Sequence, residues 1–472
     1  MKTIRVLLPL CLLPLFLLTA CAVGPDYTRP ALELPAEFEK GSVDSKAGPA
    51  TPDRWWTLFG DPVLNQLVES ALERNTDLRL AVARVEETDA NLREAGAALL
   101  PEIDAGIAGT RNRVSARTAV SNPPPLVRND VRLTLATSFE LDFWGRLRRV
   151  REAARAQALA SRYGREVVAW SISSLVAQGY FSVRALDAQI VAASDSLATR
   201  RQSLEVASTR VERGLASGLD LNQARASVAD ATVLLRDLER QRELAQHQVA
   251  VLSGRLDLVV APLAADGFNL ALPALPAPGL PSRLLERRPD LRQAEQSLIA
   301  ANAQIGVAKA AYFPTLILNA NDGGESTALA GVLNNGARIW SVGVNAAAPL
   351  LDFGRTTARV DAATARAAQA DALYRKAAET AFREVADALA MLRQAALSLQ
   401  ELQIRADATR DSLRIANVRY QAGYSAFLDV LDAQRSANDA ALALARGRLA
   451  QLSAGVDLLK ALGGGWGGAP TE

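Results

Sequence analysis

The sequence predicts a membrane α+β protein built from two copies of one plan, each pairing two β-strands with a hairpin of very long helices. Three observations lead there: an internal repeat, two long stretches free of proline, and four segments in which apolar residues alternate with polar ones.

The repeat comes first. Ala71-Leu72-Glu73-Arg74-Asn75-Thr76-Asp77-Leu78-Arg79 aligns with Leu284-Leu285-Glu286-Arg287-Arg288-Pro289-Asp290-Leu291-Arg292 at an offset of 213. The same offset sets Leu100-Pro101 on Phe313-Pro314. Asp142-Phe143-Trp144-Gly145-Arg146 matches Asp352-Phe353-Gly354-Arg355 with one residue dropped. Arg210, Gly214, Asp220, Ala224 and Ser227 match Arg419, Gly423, Asp429, Ala433 and Ser436 at an offset of 209. Landmarks recurring in one order mark a duplicated chain.

Proline placement draws the same boundaries. None occurs from Leu126 to Ala261 or from Leu350 to Ala469. Such runs suit long helices, because an interior proline costs roughly 3 kcal/mol. Each half reads as a helical stretch (about 63–98 and 282–311), two strands, a long helix, a glycine turn and a second long helix. A helix over 146–210 would be ~100 Å long, more than a compact domain buries. Val360, Ala363, Ala367, Ala370, Tyr374, Ala378, Ala381, Val385, Leu389, Leu392, Ala396 and Leu399 form a seam with the coiled-coil spacing.

The strands follow from period-two alternation. From Val131 to Leu141 the odd positions are mostly apolar, and Trp340, Val342, Val344 and Ala346 repeat the pattern. Ser121-Asn122-Pro123-Pro124-Pro125 and Asn321-Asp322-Gly323-Gly324-Glu325 read as turn-rich loops between strands.

The expected organisation is a signal peptide at 1–20, an N-terminal segment at 21–62 and a first repeat at 63–261 with strands near 102–118 and 128–143. A proline-rich connector at 262–281 leads to a second repeat at 282–462, with strands near 314–324 and 337–349, and a glycine-rich tail at 463–472. Lys2 and Arg5 precede an apolar run from Val6 to Leu18 that is short for a bilayer span. Leu18-Thr19-Ala20-Cys21 then resembles a bacterial lipobox, which makes Cys21 a lipidation site; an ordinary signal peptide with a chance cysteine is the plainer alternative. Each buried methylene of an acyl chain contributes ~0.8 kcal/mol to anchoring.

Several functions are disfavoured. Lysine plus arginine (53) nearly balances aspartate plus glutamate (51), and no basic patch with interleaved aromatics points to nucleic acid. His247 is the only histidine, and both cysteines, Cys11 and Cys21, lie at the N-terminal end. Histidine- or thiol-based catalysis and most metal clusters lack their residues, and no phosphate-binding glycine loop occurs. An enzyme is not expected, nor a cofactor beyond the covalent lipid on Cys21.

After the signal no run of about 20 apolar residues could cross a bilayer as a helix. A spanning sheet must close on itself, because lipid pairs no backbone group, and bacterial barrels need about eight strands or more. Four strands per chain cannot close alone, so several copies must share one barrel. The residues leave the number open: two copies give eight strands and three give twelve. They also leave open a small soluble sheet, in which case the long helices would form a periplasm-bridging structural lipoprotein.

The motifs Cys21-Ala22-Val23-Gly24-Pro25-Asp26-Tyr27, Trp55-Trp56-Thr57-Leu58-Phe59-Gly60-Asp61-Pro62, Arg287-Arg288-Pro289-Asp290, Tyr312-Phe313-Pro314, Leu351-Asp352-Phe353-Gly354-Arg355 and Lys460-Ala461-Leu462-Gly463-Gly464-Gly465-Trp466 run through nearly the whole chain. Together they resemble the TolC-like outer-membrane factors, in particular their lipoprotein branch. The resemblance implies a homotrimer with a twelve-stranded transmembrane β-barrel, continued by a twelve-helix periplasmic α-barrel. It implies a lipid-anchored outer-membrane exit duct for drugs, solvents or other small molecules, loaded by a periplasmic adaptor and an inner-membrane transporter of the resistance–nodulation–division type. Ala22 after the cysteine agrees with sorting to the outer membrane. A duct for type I protein secretion uses the same fold and is the nearest alternative.

The resemblance also assigns sites. The turns Gly214-Leu215-Ala216-Ser217 and Gly423-Tyr424-Ser425 correspond to the periplasmic tip where an adaptor docks. Asp429 and Asp432 share a helix face and correspond to the narrowest part of a closed gate, where carboxylates from three chains would gather. Tyr420 and Asp220 correspond to a hydrogen-bonded pair that holds the gate shut. Ser425 departs from the pattern: a relative carries a closed-state arginine there.

Overall fold

The computed structural model describes residues 22–32, 35, 38, 52–113, 115, 117, 127–262, 272–275 and 284–464. The expected signal peptide, Cys21, the 118–126 loop, most of the connector and the tail from 465 lie outside the described residues.

In chain order the elements are a 3-10 turn at Trp55–Phe59, α1 (Pro62–Arg74), α2 (Thr76–Ala97), β1 (Glu102–Arg113), β2 (Val127–Glu140), α3 (Arg146–Glu212), α4 (Gly218–Leu252), α5 (Leu284–Arg287), α6 (Pro289–Ala310), β3 (Thr315–Ser326), a 3-10 turn at Leu329–Gly331, β4 (Arg338–Ala347), α7 (Arg355–Gln421) and α8 (Phe427–Ala461). The halves repeat one order of elements, though α1 and β2, with 13 and 14 residues, are longer than α5 and β4, with 4 and 10. Helices α2 and α6 have 22 residues each, β1 and β3 have 12, α3 and α7 have 67, and α4 and α8 have 35. The helical stretches expected at 63–98 and 282–311 are each interrupted. Asn75 adopts extended backbone and caps α2 with its side chain, accepting from Asp77 N and Leu78 N. Pro289 starts α6 afresh, where its missing N–H costs nothing.

The chain divides into two compact units. One comprises Met1–Ala31, Arg84–Ser161 and Gln293–Tyr374 and holds the sheet. Its four antiparallel strands run in the order β1-β2-β3-β4, so the central β2–β3 seam joins the two halves of the sequence. Among the described residues neither β1 nor β4 has a partner on its outer edge.

Strand bounds differ from the expectations at several ends. β1 stops at Arg113 and not near 118. β2 stops at Glu140 because Asp142 turns to cap α3, accepting from Leu147 N (2.9 Å) and Arg148 N (3.0 Å). β4 ends at Ala347, ahead of Pro349. The segment Asn321–Glu325, expected as a loop, is strand: Gly323 opposes Thr134 and Gly324 opposes Leu133. The glycines are there for close approach, since a Cβ on Gly323 would strike the Leu133 carbonyl.

In the same unit the N-terminal segment is tied down. Val23 N donates to the Trp144 carbonyl (2.9 Å), and Asn302 donates to the Pro25 carbonyl (3.0 Å). Glu295, 7% exposed, accepts two bonds from Arg29 (2.6 and 2.7 Å) and one from the Tyr27 hydroxyl (3.0 Å).

The second unit comprises Leu32–Ala83, Arg162–Arg292 and Arg375–Glu472. Its main core gathers Trp55, Trp56, Phe59, Leu64, Val68, Val176, Phe181, Val249, Leu452 and Leu459. This explains the Trp55–Pro62 motif. The aromatics fill the core, Asp61 caps α1 through Val63 N (2.8 Å), and its second oxygen accepts the Tyr180 hydroxyl. The seam on α7 is buried at Ala363, Tyr374, Ala378, Ala381 and Val385, whereas Ala396 is exposed.

Candidate functional site

Two features of the molecule are candidates, one in each unit. The first is the sheet. The registers place Ile103, Ala105, Ile107, Val131, Leu133, Leu135, Phe139, Leu316, Leu318, Ala320, Trp340, Val342 and Val344 on one face. The other face carries Asp104, Thr110, Thr134, Ser138, Asn319, Asn321, Ser341 and Asn345. Among the described residues most of the apolar face is bare, with Ile103 74% exposed, Trp340 71% and Val342 66%, and only Val332 closes over it, at Gly324. A soluble sheet would bury such a face against helices. Charged pairs gather near one end of the strands: Arg132 meets Asp130 and Glu325 at 3.1 Å each, and Arg338 meets Asp322, on the same face as Trp340, at 3.0 Å.

The second feature is the pair of helix turns. Gly214 (φ 72°) and Gly423 (φ 83°) sit in the left-handed region that the reversal requires. Each turn closes with the same bonds, Leu215 N to the Arg210 carbonyl and Tyr424 N to the Arg419 carbonyl, both 2.8 Å. Ser217 and Asp220 then form a capping box at the start of α4. In the matched box of α8 only half survives: Asp429 accepts from Ala426 N, and Ala426 offers no side-chain oxygen in return.

Behind the turns lies a small core of Ala207, Ala224, Tyr420, Phe427 and Val430. Arg210 roofs it, with its guanidinium 4.8 Å from the centre of the Tyr420 ring and a bond of 2.8 Å to the Tyr420 carbonyl. The Tyr420–Asp220 hydrogen bond implied by the resemblance is not formed in this structure. The Tyr420 hydroxyl has no partner among the described residues, and Asp220 serves Ser217. Burial pushes the Tyr420 hydroxyl up, opposed by Arg210. Asp429 and Asp432 lie exposed on α8, and Asp432 pairs with Arg435 at 2.7 Å. The Ser425 hydroxyl is also without a partner among the described residues.

Sequence reasoning missed two members of this site. Leu219 and Leu428, exposed at 64% and 63%, flank the turns at matched positions, as do Leu215 (66%) and Tyr424 (79%). The offset of 209 carries that signal, because it pairs one exposed apolar residue with another twice. Among the described residues no group of His, Cys, Asp and Glu is placed to hold a metal, and no helix is long and apolar enough to cross a membrane.

A sheet with an uncovered apolar face, carried by a chain whose paired long helices end in matched turns, is the anatomy of an outer-membrane channel component. The chain belongs to the outer membrane efflux protein family, whose model matches it twice, over residues 67–255 and 280–464. The two matches fall on the two halves of the repeat. The toluene efflux pump outer membrane protein TtgF of Pseudomonas putida is 35% identical over 458 residues, covering 95% of each chain. The antibiotic efflux pump outer membrane protein ArpC of the same species is 34% identical, covering 96% of this chain and 94% of that one. The outer-membrane channel OprN superposes with a TM-score of 0.88 at 29% identity, over 95% of this chain and all of that one (100%). The protein is therefore an outer-membrane component of an efflux pump, in a family of transport ducts and not of enzymes.

Proposed function

We propose that the chain works as a homotrimer whose copies close a twelve-stranded barrel in the outer membrane and continue it as a twelve-helix periplasmic barrel. The assembly is the passive exit duct of a tripartite pump of the resistance–nodulation–division type. The names of its relatives favour small organic cargo such as solvents and antibiotics. This reading rests on the uncovered four-stranded sheet. One face is apolar, the other polar, and both outer edges lack partners among the described residues. In lipid those edges must be paired, and a chain with four strands can meet that demand only by sharing a barrel with copies of itself.

The turns at Gly214–Ser217 and Gly423–Ser425 present Leu215, Leu219, Tyr424 and Leu428 to a periplasmic adaptor. Apolar side chains this exposed cost little to leave in water singly, and four in one region suit a docking surface. Asp429 and Asp432, brought together from three chains, form an acidic constriction that favours cations. Tyr420 and Asp220 belong to the same gate region. Ala22, the residue after the lipid-bearing Cys21, lies beside the β2–α3 junction, next to Val23 bonded to Trp144. A lipid on Cys21 would thus enter the membrane at the foot of the barrel.

The test is purification of the full chain in mild detergent, with its mass measured by light scattering and its activity by single-channel recording in planar bilayers. A three-chain particle that conducts is expected. A one-chain particle without conductance overturns the reading.

A further inference from the structure

We infer, resting on the assembly proposed above, that the apolar face of the sheet holds a phosphorylated lipid of the outer leaflet at its far rim, with Arg111 and Arg113 as the phosphate-binding side chains.

The strand residues of the apolar face include only four charges, and all lie toward one end. Arg111 and Arg113 follow Ile107 and Gly109 along β1, while Arg338 starts β4 with Asp322 beside it on β3. That end carries the β1–β2 and β3–β4 connections. The opposite end feeds α3 and α7 and has Ala22 beside it. The arginines therefore stand at the end away from the lipid anchor, on the side of the outer leaflet.

The spacing fits a membrane. Phe139 is the last apolar residue of this face at the helix end of β2, and Arg111 lies opposite Asn129, further along the same strand. The path from Phe139 to Asn129 is ~34 Å at ~3.4 Å per residue, and a strand tilt of about 40° makes it a height of ~26 Å. The lipid-facing band of such barrels is about 25 Å tall. Arg111 and Arg113 thus begin where the apolar band ends, at the level of the headgroups.

Charge balance separates the two faces at this end. On the polar face Arg128 and Arg132 share the strands with Asp130 and Glu325, and Arg132 meets both acids. On the apolar face the one carboxylate, Asp322, is taken by Arg338. Arg111 and Arg113 are exposed and make no ion pair among the described residues. Two residues apart on one strand face, they sit ~7 Å from each other, within reach of a single headgroup. A guanidinium fork takes phosphate oxygens in pairs. A zwitterionic headgroup brings its own cation and would leave this charge uncompensated, so a lipid with net negative phosphate is the better fit. Trp340, 71% exposed and two residues from Arg338, adds an aromatic ring of the kind that settles at a membrane interface.

The test uses the full chain purified in mild detergent and titrated with diphosphoryl lipid A, a phosphorylated glycolipid, with retained lipid counted by native mass spectrometry. The parent particle is expected to retain this lipid, and Arg111→Gln with Arg113→Gln should weaken retention by about tenfold or more. Arg128→Gln, at the same end but on the polar face, should leave retention unchanged. Dephosphorylated lipid A and phosphatidylethanolamine should bind the parent far more weakly, and inorganic phosphate in large excess should not displace the bound lipid. Where the double variant fails to assemble, Arg113→Gln alone is compared with Arg128→Gln. Equal retention of the phosphorylated and dephosphorylated forms, no loss on replacing the arginines, or an equal loss from Arg128→Gln overturns the inference. Displacement by inorganic phosphate overturns the lipid as occupant and leaves a site for a soluble anion. A conducting three-chain particle that retains no lipid overturns the lipid site and leaves the duct standing. A one-chain particle without conductance overturns both.

Discussion

Asn75 and Arg288 occupy matched positions 213 residues apart, and each donates from its side chain to a matched helix-end carbonyl. Asn75 Nδ2 reaches the Leu252 carbonyl at 2.9 Å, and Arg288 reaches the Ala461 carbonyl at 3.1 Å. The duplicated plan thus keeps a bond while the chemistry that makes it has changed. Arg288 does more than its counterpart. It is 2% exposed, bonds Asp290 and Glu384 at 2.7 Å each, and lies 5.2 Å from the Trp170 ring centre.

Replacing Arg288 should therefore cost more than replacing Asn75. Arg288→Ala strips partners from two carboxylates that water still reaches, so a loss of about 2–3 kcal/mol is expected, below the range for a wholly buried pair. Asn75→Ala removes a helix cap and one carbonyl bond, about 1–2 kcal/mol. Denaturant unfolding followed by circular dichroism ranks the two, and an equal or reversed order contradicts the assignment.

At the helix turns, the Tyr420 hydroxyl has no hydrogen-bond partner among the described residues, while its ring and carbonyl are both engaged by Arg210. Tyr420→Phe should leave stability within about 0.5 kcal/mol and leave conductance unchanged. Arg210→Ala should cost about 1–2 kcal/mol, because a carbonyl and an aromatic face lose their cation together. Opening of the channel by Tyr420→Phe would show that the hydroxyl finds a partner in the assembled duct.

The exposed carboxylates on α8 can be neutralised without loss of the fold. Asp432→Asn breaks a surface pair with Arg435, which contributes at most about 1 kcal/mol, and Asp429→Asn keeps an acceptor for Ala426 N. The double variant should fold and assemble normally and lose cation preference in planar bilayers. Unaltered ion preference would remove both residues from the constriction.

The N-terminal clasp makes a prediction about alkali. Burial, and then the Glu295 carboxylate, push the Tyr27 hydroxyl well above the ordinary tyrosine range. The unfolded chain would lose this proton first, so the clasp's contribution is complete below about pH 10 and declines as pH rises beyond it. Subtracting the ultraviolet titration of Tyr27→Phe from that of the parent should reveal one phenolate step displaced upward. Glu295→Gln should move that step back toward the ordinary range. A Tyr27 step at the ordinary value in the parent contradicts the clasp.

Much of the fold was legible because duplication writes itself into spacing. The offsets of 213 and 209 were readable from a few landmarks, and elements of equal length lie at those offsets. Asn321–Glu325 misled because Asp-Gly-Gly usually marks a turn, and here the glycines let β2 and β3 lie close. Arg210 was legible only as a landmark of the repeat, and the apolar pair Leu219 and Leu428 not at all, because an arginine or leucine on a long helix looks the same whether it roofs an aromatic ring, faces solvent or awaits a partner.

The chain's linear order alone determined the repeat, the long helices, the alternating strands and the scarcity of histidine and cysteine, since each depends on periodicity or composition along one dimension. Only the folded arrangement decided which strands are neighbours, which face stays bare and which polar groups go unpaired. Those depend on distances between residues far apart in the chain. Backbone groups at the sheet's outer edges count as a demand for a partner only once every other strand has been placed.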